Sequence, residues 1–481
     1  MKHDNTSAQG MPLMKHDYTS AQGYRRWLTM LWAVVACCSH LPLTAQTAYD
    51  FSAQTAYDFF TKNPKFSASN YTVYSDSLRH IFRPVTSQQT PPPAGKQPFY
   101  LSHYGRHGSR YISQRKGYDI PYHILAHADS IDNLTPAGLD ALKEMQRLLD
   151  DAEGRWGDLT GIGKSQHREI ARRMVRRFPQ VFEGDAYVDA HSTIIPRCVL
   201  SMGSAVQELT RQNARLRIRM DASQSNMWYM NHQDKVLRGR MMNAEAQRAY
   251  DEFSEHFYRN PRLMELLFKD TARISRNDEK WLNYYLLKAG LMQQNTHKGS
   301  LSPLIHLYTP EDIYHFWQKE NAWWYITYGP SPLSGGDQPY SQRYLLRQII
   351  QDADSCLRLK GHGATLRFGH ETIVLPLVCL LGINGFDYQT ADLSHLEHHG
   401  WWASLVFPMA SNLQLVFYRS SPYDQDVLVK LLLNEQETTL PIATDTPPYY
   451  HWRDFRSFYL QKLDAYDRQR AASSAKPQAA N

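Results

Sequence analysis

The stretch "YLSHYGRHGSRY", residues 100 to 111, sets Arg106, His107 and Arg110 around Gly108, directly after a short apolar run. Cations this close repel one another, and an anionic ligand would reverse the sign of that cost. Two later segments supply what an anion site of this kind needs. "STIIPRC" carries Arg197 behind Pro196, and "RFGHET" carries His370 and Glu371 directly after Gly369. Hydrolysis of a phosphomonoester calls for cations on its oxygens, a nucleophile aimed at phosphorus and an acid for the leaving alkoxide. Arg106, Arg110 and Arg197 offer planar forks for the oxygens. His107 is a competent nucleophile when neutral, and the neighbouring arginines lower its pKa toward that state. Gly108 leaves room for backbone beside the phosphate. His370 can bind the phosphoryl oxygens from another strand end, and Glu371 can carry the proton.

Elements of one kind must position these residues. "PFYLSHYGR", "AYVDAHS" and "ATLRFG" are strand-like runs, and the charged groups follow each at its carboxyl end. Open α/β sheets bind ligands outside the carboxyl ends of their strands, so the three ends are expected to converge. The apolar run after Glu371 reads as a helix whose positive end adds to the site, with Thr372 as its cap and Pro376 early enough to be tolerated. "LTPAGLDALKEMQRLLDDAE" and "DLTGIGKSQHREIARRMVRRF" read as helices with Thr135 and Thr160 near their starts. From about 216 to 335 the chain turns Met-, Trp-, Tyr- and Arg-rich with helical spacing, which reads as an insertion beside the sheet. Strand patterning returns over "LVFPMASNLQLVFYRS" and "QDVLVKLLLNEQETTLPI", and the segment from 467 reads as a disordered tail.

Composition narrows the class. The 481 residues, 42% hydrophobic and 21% charged, are ordinary for a globular enzyme, and a net charge of +6 is far below the density of a nucleic-acid binder. Arg25 and Arg26 precede "WLTMLWAVVACC" and then the small residues of "LPLTAQ", the order of a cleavable secretory signal over residues 1 to 45. Export to the periplasm or medium is therefore expected. "VVAC" also resembles a bacterial lipobox, which would instead lipidate Cys37 and tether the protein to the outer membrane. Short duplications flank this region and are too brief for a repeat architecture. Cys198, Cys356 and Cys379 would remain after cleavage, too few for a disulfide scaffold. "HLEHHG", residues 395 to 400, has metal-ligand residue types but reads as a polar loop. Arg172, Arg173, Arg176 and Arg177 read as a solvated helix face. Lys235, Arg238 and Arg240 could meet further phosphates of a polyanionic substrate or simply be surface charge.

"RHGSRY" resembles the RHGxR part of the signature of the histidine acid phosphatases, branch 2 of the histidine phosphatase superfamily. "GHET" lies where that family has its His-Asp or His-Ala-Glu motif, and "STIIPRC" resembles its intermediate segment with a further phosphate-binding arginine. The similarity spans about residues 95 to 460 and is strongest toward bacterial multiple inositol polyphosphate phosphatases and phytases. It implies an α/β fold: a central mixed sheet flanked by helices, of the phosphoglycerate mutase-like histidine phosphatase type, with an α-helical cap over 216 to 335 and the sheet domain over 46 to 215 and 336 to 466. It implies covalent phosphohistidine catalysis with no metal or other cofactor, on anionic phosphomonoesters that include phytate. By the resemblance His107 is the nucleophile, Arg106, Arg110 and Arg197 bind phosphate, His370 assists, and Glu371 is the proton donor. The chain has Ile112 where the family has proline, and Glu371, one methylene longer, at the position of the family's Asp. The alternatives are a general acid phosphatase without inositol phosphate preference and a surface protein that binds phosphate without turnover. A phosphotransferase of the mutase type has no use for export.

Overall fold

Strand β1 runs from Gln97 to Arg106, and every residue after Gln97 is buried. A strand buried on both faces must lie inside a covered sheet, and β1 does. The computed structural model describes residues 56–75, 89–296, 299–358 and 361–475. Among them β2 (Tyr187–Ser192), β3 (Arg217–Asp221), β4 (Gly363–Gly369), β5 (Asn412–Arg419), β6 (Leu428–Leu433), β7 (Gln436–Glu437) and β8 (Tyr449–His451) complete one sheet. Its order is β3-β2-β4-β1-β5-β6-β7, with β8 also paired to β6. The β3, β2, β4 and β1 half is parallel, and β5 joins β1 antiparallel to begin the other half. The expected central mixed sheet is thus present. The signal expected over residues 1 to 45, with Cys37, lies outside the described residues. No helix among the described residues is long and apolar enough to cross a membrane.

Alternating side chains of the strands feed two cores. Tyr100 and Tyr104 of β1 point into one, with Leu413, Leu415 and Phe417 of β5 and the helix Glu371–Leu381. Leu101 points into the other, with Leu366 and Phe368 of β4, Val188 and Ala190 of β2, and the helices Gly161–Arg177 and Pro196–Gln212. A third core is all helical: Tyr118, Leu125, Met145 and Leu148 pack with Leu263, Leu282 and Leu286. Thr135 and Thr160 cap their helices as the sequence indicates, each accepting a bond from a glycine N–H three residues on.

Several expectations need correction. The third core joins helices Lys116–Ser130 and Pro136–Ala152 to the insertion, so the helical part draws on two stretches of chain. Inside the stretch expected to be helical, Arg217–Asp221 forms the parallel edge strand β3, because Leu216 and Ile218 alternate onto the second core. Of the segment expected to be a disordered tail, the part beyond residue 475 lies outside the described residues, and residues 467 to 475 continue the last helix, Trp452–Ala475. Its Arg470 donates to Asp234 Oδ1 at 2.9 Å, and its Asp467 accepts from Arg347 at 2.7 Å, contacts that fix the helix from residue 464 onward. The basic face of Gly161–Arg177 is not solvated throughout. Arg173 donates twice to Glu435, at 2.9 and 2.7 Å, and Arg177 bonds the Glu435 carbonyl at 3.2 Å.

The Arg173–Glu435 pair is buried, and burial would push the Glu435 carboxyl upward, yet Arg173 holds it below its ordinary value. A carboxylate depressed in this way contributes stability above its unfolded pKa and loses it as pH falls through the folded one. Arg173→Met is expected to cost about 1.5–3 kcal/mol at neutral pH, since it removes the main charged donor of Glu435 and leaves Arg177 at 3.4 Å and the Tyr74 hydroxyl at 2.6 Å. In urea denaturation the deficit should narrow as pH falls and Glu435 takes up a proton.

Candidate active site

The parallel register brings three chain segments to one place. Arg106, the last residue of β1, lies opposite Gly369, the last of β4, and Ser192 of β2 lies opposite Phe368. The residues that follow, His107, His370 and Thr193, therefore leave neighbouring strand ends together. The His107 N–H donates to the Gly369 carbonyl at 2.9 Å, and the Thr193 N–H to that of Phe368 at 3.0 Å.

The loop after β1 is fixed from below. Gly108 N–H donates to Ser201 Oγ at 3.1 Å, Ser109 N–H to Gln166 Oε1 at 2.8 Å, and the Thr160 N–H to the Ser109 carbonyl at 2.9 Å. The loop crosses the start of the Gly161–Arg177 helix backbone against backbone: a Cβ on Gly108 would stand 2.4 Å from the Gly163 carbonyl oxygen, and one on Gly163 2.3 Å from that of Ser109. Glycine is required here by contact.

His107 is fully buried, and its Nδ1 lies 2.9 Å from the Gly108 carbonyl. A carbonyl only accepts, so Nδ1 carries the proton and Nε2 the lone pair. Nε2 makes no hydrogen bond and lies 3.5 Å from Glu371 Oε2. Burial, more than the arginines that the sequence suggested, keeps the imidazole well below its ordinary pKa; Arg106 and Arg110 add to this and Glu371 opposes it.

Around that nitrogen stand the three arginines. Arg106 is fully buried; its Nε donates to Glu371 Oε2 at 3.0 Å and its Nη1 to the Phe407 carbonyl at 2.6 Å, while Nη2 has no partner. Burial lowers its pKa to about 10, against the pull of Glu371. Arg110 donates to the Tyr111 carbonyl at 3.0 Å and reaches within 4.0 Å of Glu371 Oε1. Arg197, second residue of the helix Pro196–Gln212, is half-buried with an unpartnered Nε, and burial and then Arg110 push its pKa down.

His370 and Glu371 sit at the start of one helix. His370 is the N-cap of Glu371–Leu381 without a side-chain capping bond, which leaves Thr372 inside the helix and corrects its expected role as the cap. The His370 Nε2 lies 3.2 Å from Thr193 Oγ1, the ring centroid lies 5.8 Å from that of His107, and burial lowers its pKa to about 4. Burial would raise the Glu371 carboxyl, but Arg106, the His107 contact and Arg110 together hold it well below the usual carboxylate range. At the N-terminus of a helix a carboxylate also meets the free N–H groups favourably.

Two residues of the site carry no signal in the sequence. Asn70 donates to Glu371 Oε1 at 3.2 Å, and Arg110 lies over the Tyr71 ring at 5.1 Å. Both belong to the 3₁₀ segment Pro64–Tyr71, held in place where Met409 N–H bonds the Thr72 carbonyl at 2.8 Å. Cys198 is buried beside His370, 3.8 Å from its Nε2, and donates to the Gly369 carbonyl at 3.3 Å.

All six candidate residues, Arg106, His107, Arg110, Arg197, His370 and Glu371, thus share one site. His107, His370 and Glu371 place ligand-type atoms within 4.8 Å of one another, the one such group among the described residues. The three guanidinium groups around it favour an anion over a cation. "HLEHHG" forms no such group: Glu397 accepts from Tyr314 and Gln318, and His399 stacks on Tyr388 at 3.9 Å. A cavity of about 450 Å³ lies at the opposite, amino ends of β1, β2 and β4, lined by Asp185, Asp189 and Asp352 among others, a charge ill suited to phosphate.

The family described as the histidine phosphatase superfamily (branch 2) matches residues 105–434, and the chain belongs to that family. It is a phosphoric monoester hydrolase of the histidine acid phosphatase type. No curated protein matches the chain in sequence. In fold it is similar to the Bifidobacterium longum multiple inositol polyphosphate phosphatase in complex with inositol hexasulfate, at 16% identity and a TM-score of 0.68 over 82% of this chain and 97% of that one. The phosphate complex of the same enzyme gives 17% identity and a TM-score of 0.60 over 82% and 96%. The phytase from D. castellii gives 12% and 0.59 over 88% and 89%.

The crossing of the two glycines is testable. Gly108→Ala and Gly163→Ala are each expected to destabilise the protein by about 1–3 kcal/mol, the ordinary range for overpacking. Gly161→Ala, two residues from the crossing with open space around its Cβ, is expected to be neutral or slightly stabilising in the same urea titration.

Proposed function

We propose that the protein hydrolyses phosphate monoesters, foremost inositol polyphosphates such as phytate, through a covalent phosphohistidine on His107. The observation that carries this is the His107 Nε2: fully buried, without a hydrogen bond, bearing the lone pair, and facing a carboxylate and three arginines. The substrate class is supported by the fold relatives named for inositol polyphosphates and phytate.

In the first step the phosphate enters the arginine cage and takes over the N–H groups of Arg106 and Arg110 that Glu371 holds or approaches. The His107 Nε2 lone pair forms the N–P bond as the P–O bond to the leaving group breaks. Glu371, ionised beside the arginines, takes up a proton from the monoprotonated phosphate ester or from solvent as the substrate's charge weakens their hold, and gives that proton to the departing alkoxide oxygen. His370, its Nε2 near Thr193 Oγ1, binds a phosphoryl oxygen. In the second step a water attacks phosphorus, its proton returns to Glu371, the P–N bond breaks and His107 regains its lone pair. The proton stays on Nδ1 throughout, donated to the Gly108 carbonyl, whose oxygen offsets the positive charge of the phosphorylated ring. The sheet supplies the chemistry, and the helical part, built from helices Lys116–Ser130 and Pro136–Ala152 together with those of the insertion, shapes the substrate side. The protein is read as exported, on the strength of the charged, apolar and small-residue order over residues 25 to 45.

Phosphate release from phytate and from p-nitrophenyl phosphate tests the assignment. His107→Ala should abolish turnover of both. Glu371→Gln should lose about 10²–10⁴-fold on phytate, whose alkoxide needs the proton. With p-nitrophenyl phosphate, whose leaving group departs without help, the same variant should release a stoichiometric burst of p-nitrophenol and then stall at the phosphohistidine. A Glu371→Gln variant with wild-type turnover on phytate would move the proton donor elsewhere.

A further inference from the structure

Two lysines beside the cage, Lys288 and Lys319, share a single carboxylate, Glu320. Lys288, half-buried on the helix Arg276–Met292 in the insertion, places its Nζ 5.4 Å from the centroid of the Tyr71 ring. Arg110 lies over the same ring at 5.1 Å, so the two charges are no more than 10.5 Å apart. Lys288 Nζ donates to Tyr284 Oη at 2.8 Å, and the Tyr284 hydroxyl donates in turn to Glu320 Oε1 at 3.0 Å. That carboxylate is already neutralised by the buried Lys319 at 2.9 Å. Among the described residues no carboxylate comes within ion-pair distance of Lys288; Glu320 acts on it at longer range through Tyr284, and the Tyr71 and Tyr284 rings complete its surroundings. Burial would raise the Tyr71 phenol, yet Arg110 and Lys288 together hold it below its ordinary value, so both charges act at one point. Two partly desolvated cations against one carboxylate leave an excess positive charge, costly as the clustered arginines are, and the cost is relieved by an anion.

We propose that Lys288, fixed by Tyr284, forms a second anion subsite that takes a phosphate neighbouring the one in the arginine cage. The inference rests on the reading of the substrate as a polyphosphorylated ring, in which phosphates one or two carbons apart can reach both cations. A monoester with a single phosphate leaves this subsite empty. Lys288 is thereby a specificity-determining residue, distinct from the six that meet the reacting phosphate.

The test is competitive inhibition of p-nitrophenyl phosphate hydrolysis by myo-inositol hexasulfate and by inorganic phosphate, in wild type, Lys288→Gln, Lys288→Met and Lys288→Arg. The quantity read is the ratio of the two inhibition constants. Wild type should favour hexasulfate; both neutral variants should lower that preference about tenfold, the weight of one charged hydrogen bond, and Lys288→Arg should restore most of it. If wild type favours hexasulfate and the neutral variants keep the full preference, the subsite is overturned while the polyanion reading stands. If both inhibitors weaken in equal proportion, Lys288 acts through the shape of the cage and the subsite is again overturned. If wild type does not distinguish the two inhibitors, the polyanion reading and the subsite fall together.

Discussion

The Arg106 guanidinium, fully buried at the end of the central strand, is the charge around which the site is arranged. Removing a guanidinium from water costs several kcal/mol unless its donors are met by an anion and by carbonyls. Glu371 and the Phe407 carbonyl meet two of them, and the third nitrogen is left for a ligand. The pairing also decides the state of Glu371. A carboxyl that burial alone would keep neutral is ionised because Arg106 stands beside it. Since Glu371 opens its helix directly after His370, the same ion pair anchors that helix start and, through it, the second histidine.

The sheet register makes this pairing possible. Parallel pairing of β1 with β4 puts Arg106 opposite Gly369, so Arg106 and Glu371, 265 positions apart in sequence, stand side by side. Any slip of one residue would turn Arg106 to the other face and break the contact. The register is enforced by the cores on both faces, where Tyr100 and Leu101 alternate into different clusters and tolerate no exchange. Catalytic geometry here is thus a by-product of apolar packing far from the phosphate, and the loop itself adds only the close approach that Gly108 and Gly163 allow.

The legible part of the molecule was whatever lay within a few residues of a distinctive pattern. The mixed sheet, the threonine caps and the gathering of Arg106, His107, Arg110, Arg197, His370 and Glu371 all follow from short strings whose residue types have one economical use. Asn70 and Tyr71 escaped because an asparagine and a tyrosine in a polar segment have many uses, and only tertiary contact selects one. The edge strand β3 is five residues with a weak alternation in a region dominated by helical spacing. The end of the last helix reads as disordered in sequence because its hydrophobicity is low, whereas ion pairs to Asp234 and Arg347 hold it. The cause of the low His107 pKa was assigned to neighbouring charge because charge is visible in sequence and depth of burial is not.

An ionised Glu371 is at first sight a poor proton donor, and the resolution lies in which force keeps it ionised. Burial acts on the carboxyl with the largest single effect, upward, and the arginines and His107 overcome it only jointly. An incoming phosphate brings negative charge into the cage and competes for the same guanidinium N–H groups, so the opposing forces weaken while the burial remains. The carboxyl then moves toward the protonated state at the moment a leaving oxygen needs its proton. When the leaving group departs, the anionic carboxylate stands near the phosphorylated imidazole, where it can accept the proton of the attacking water. The longer side chain of Glu371 compared with an aspartate suits both duties, since one oxygen bonds Arg106 while the other lies toward Asn70 and Arg110. Asn70, as a neutral donor to that second oxygen, can hold it in place without adding a charge that would keep it ionised.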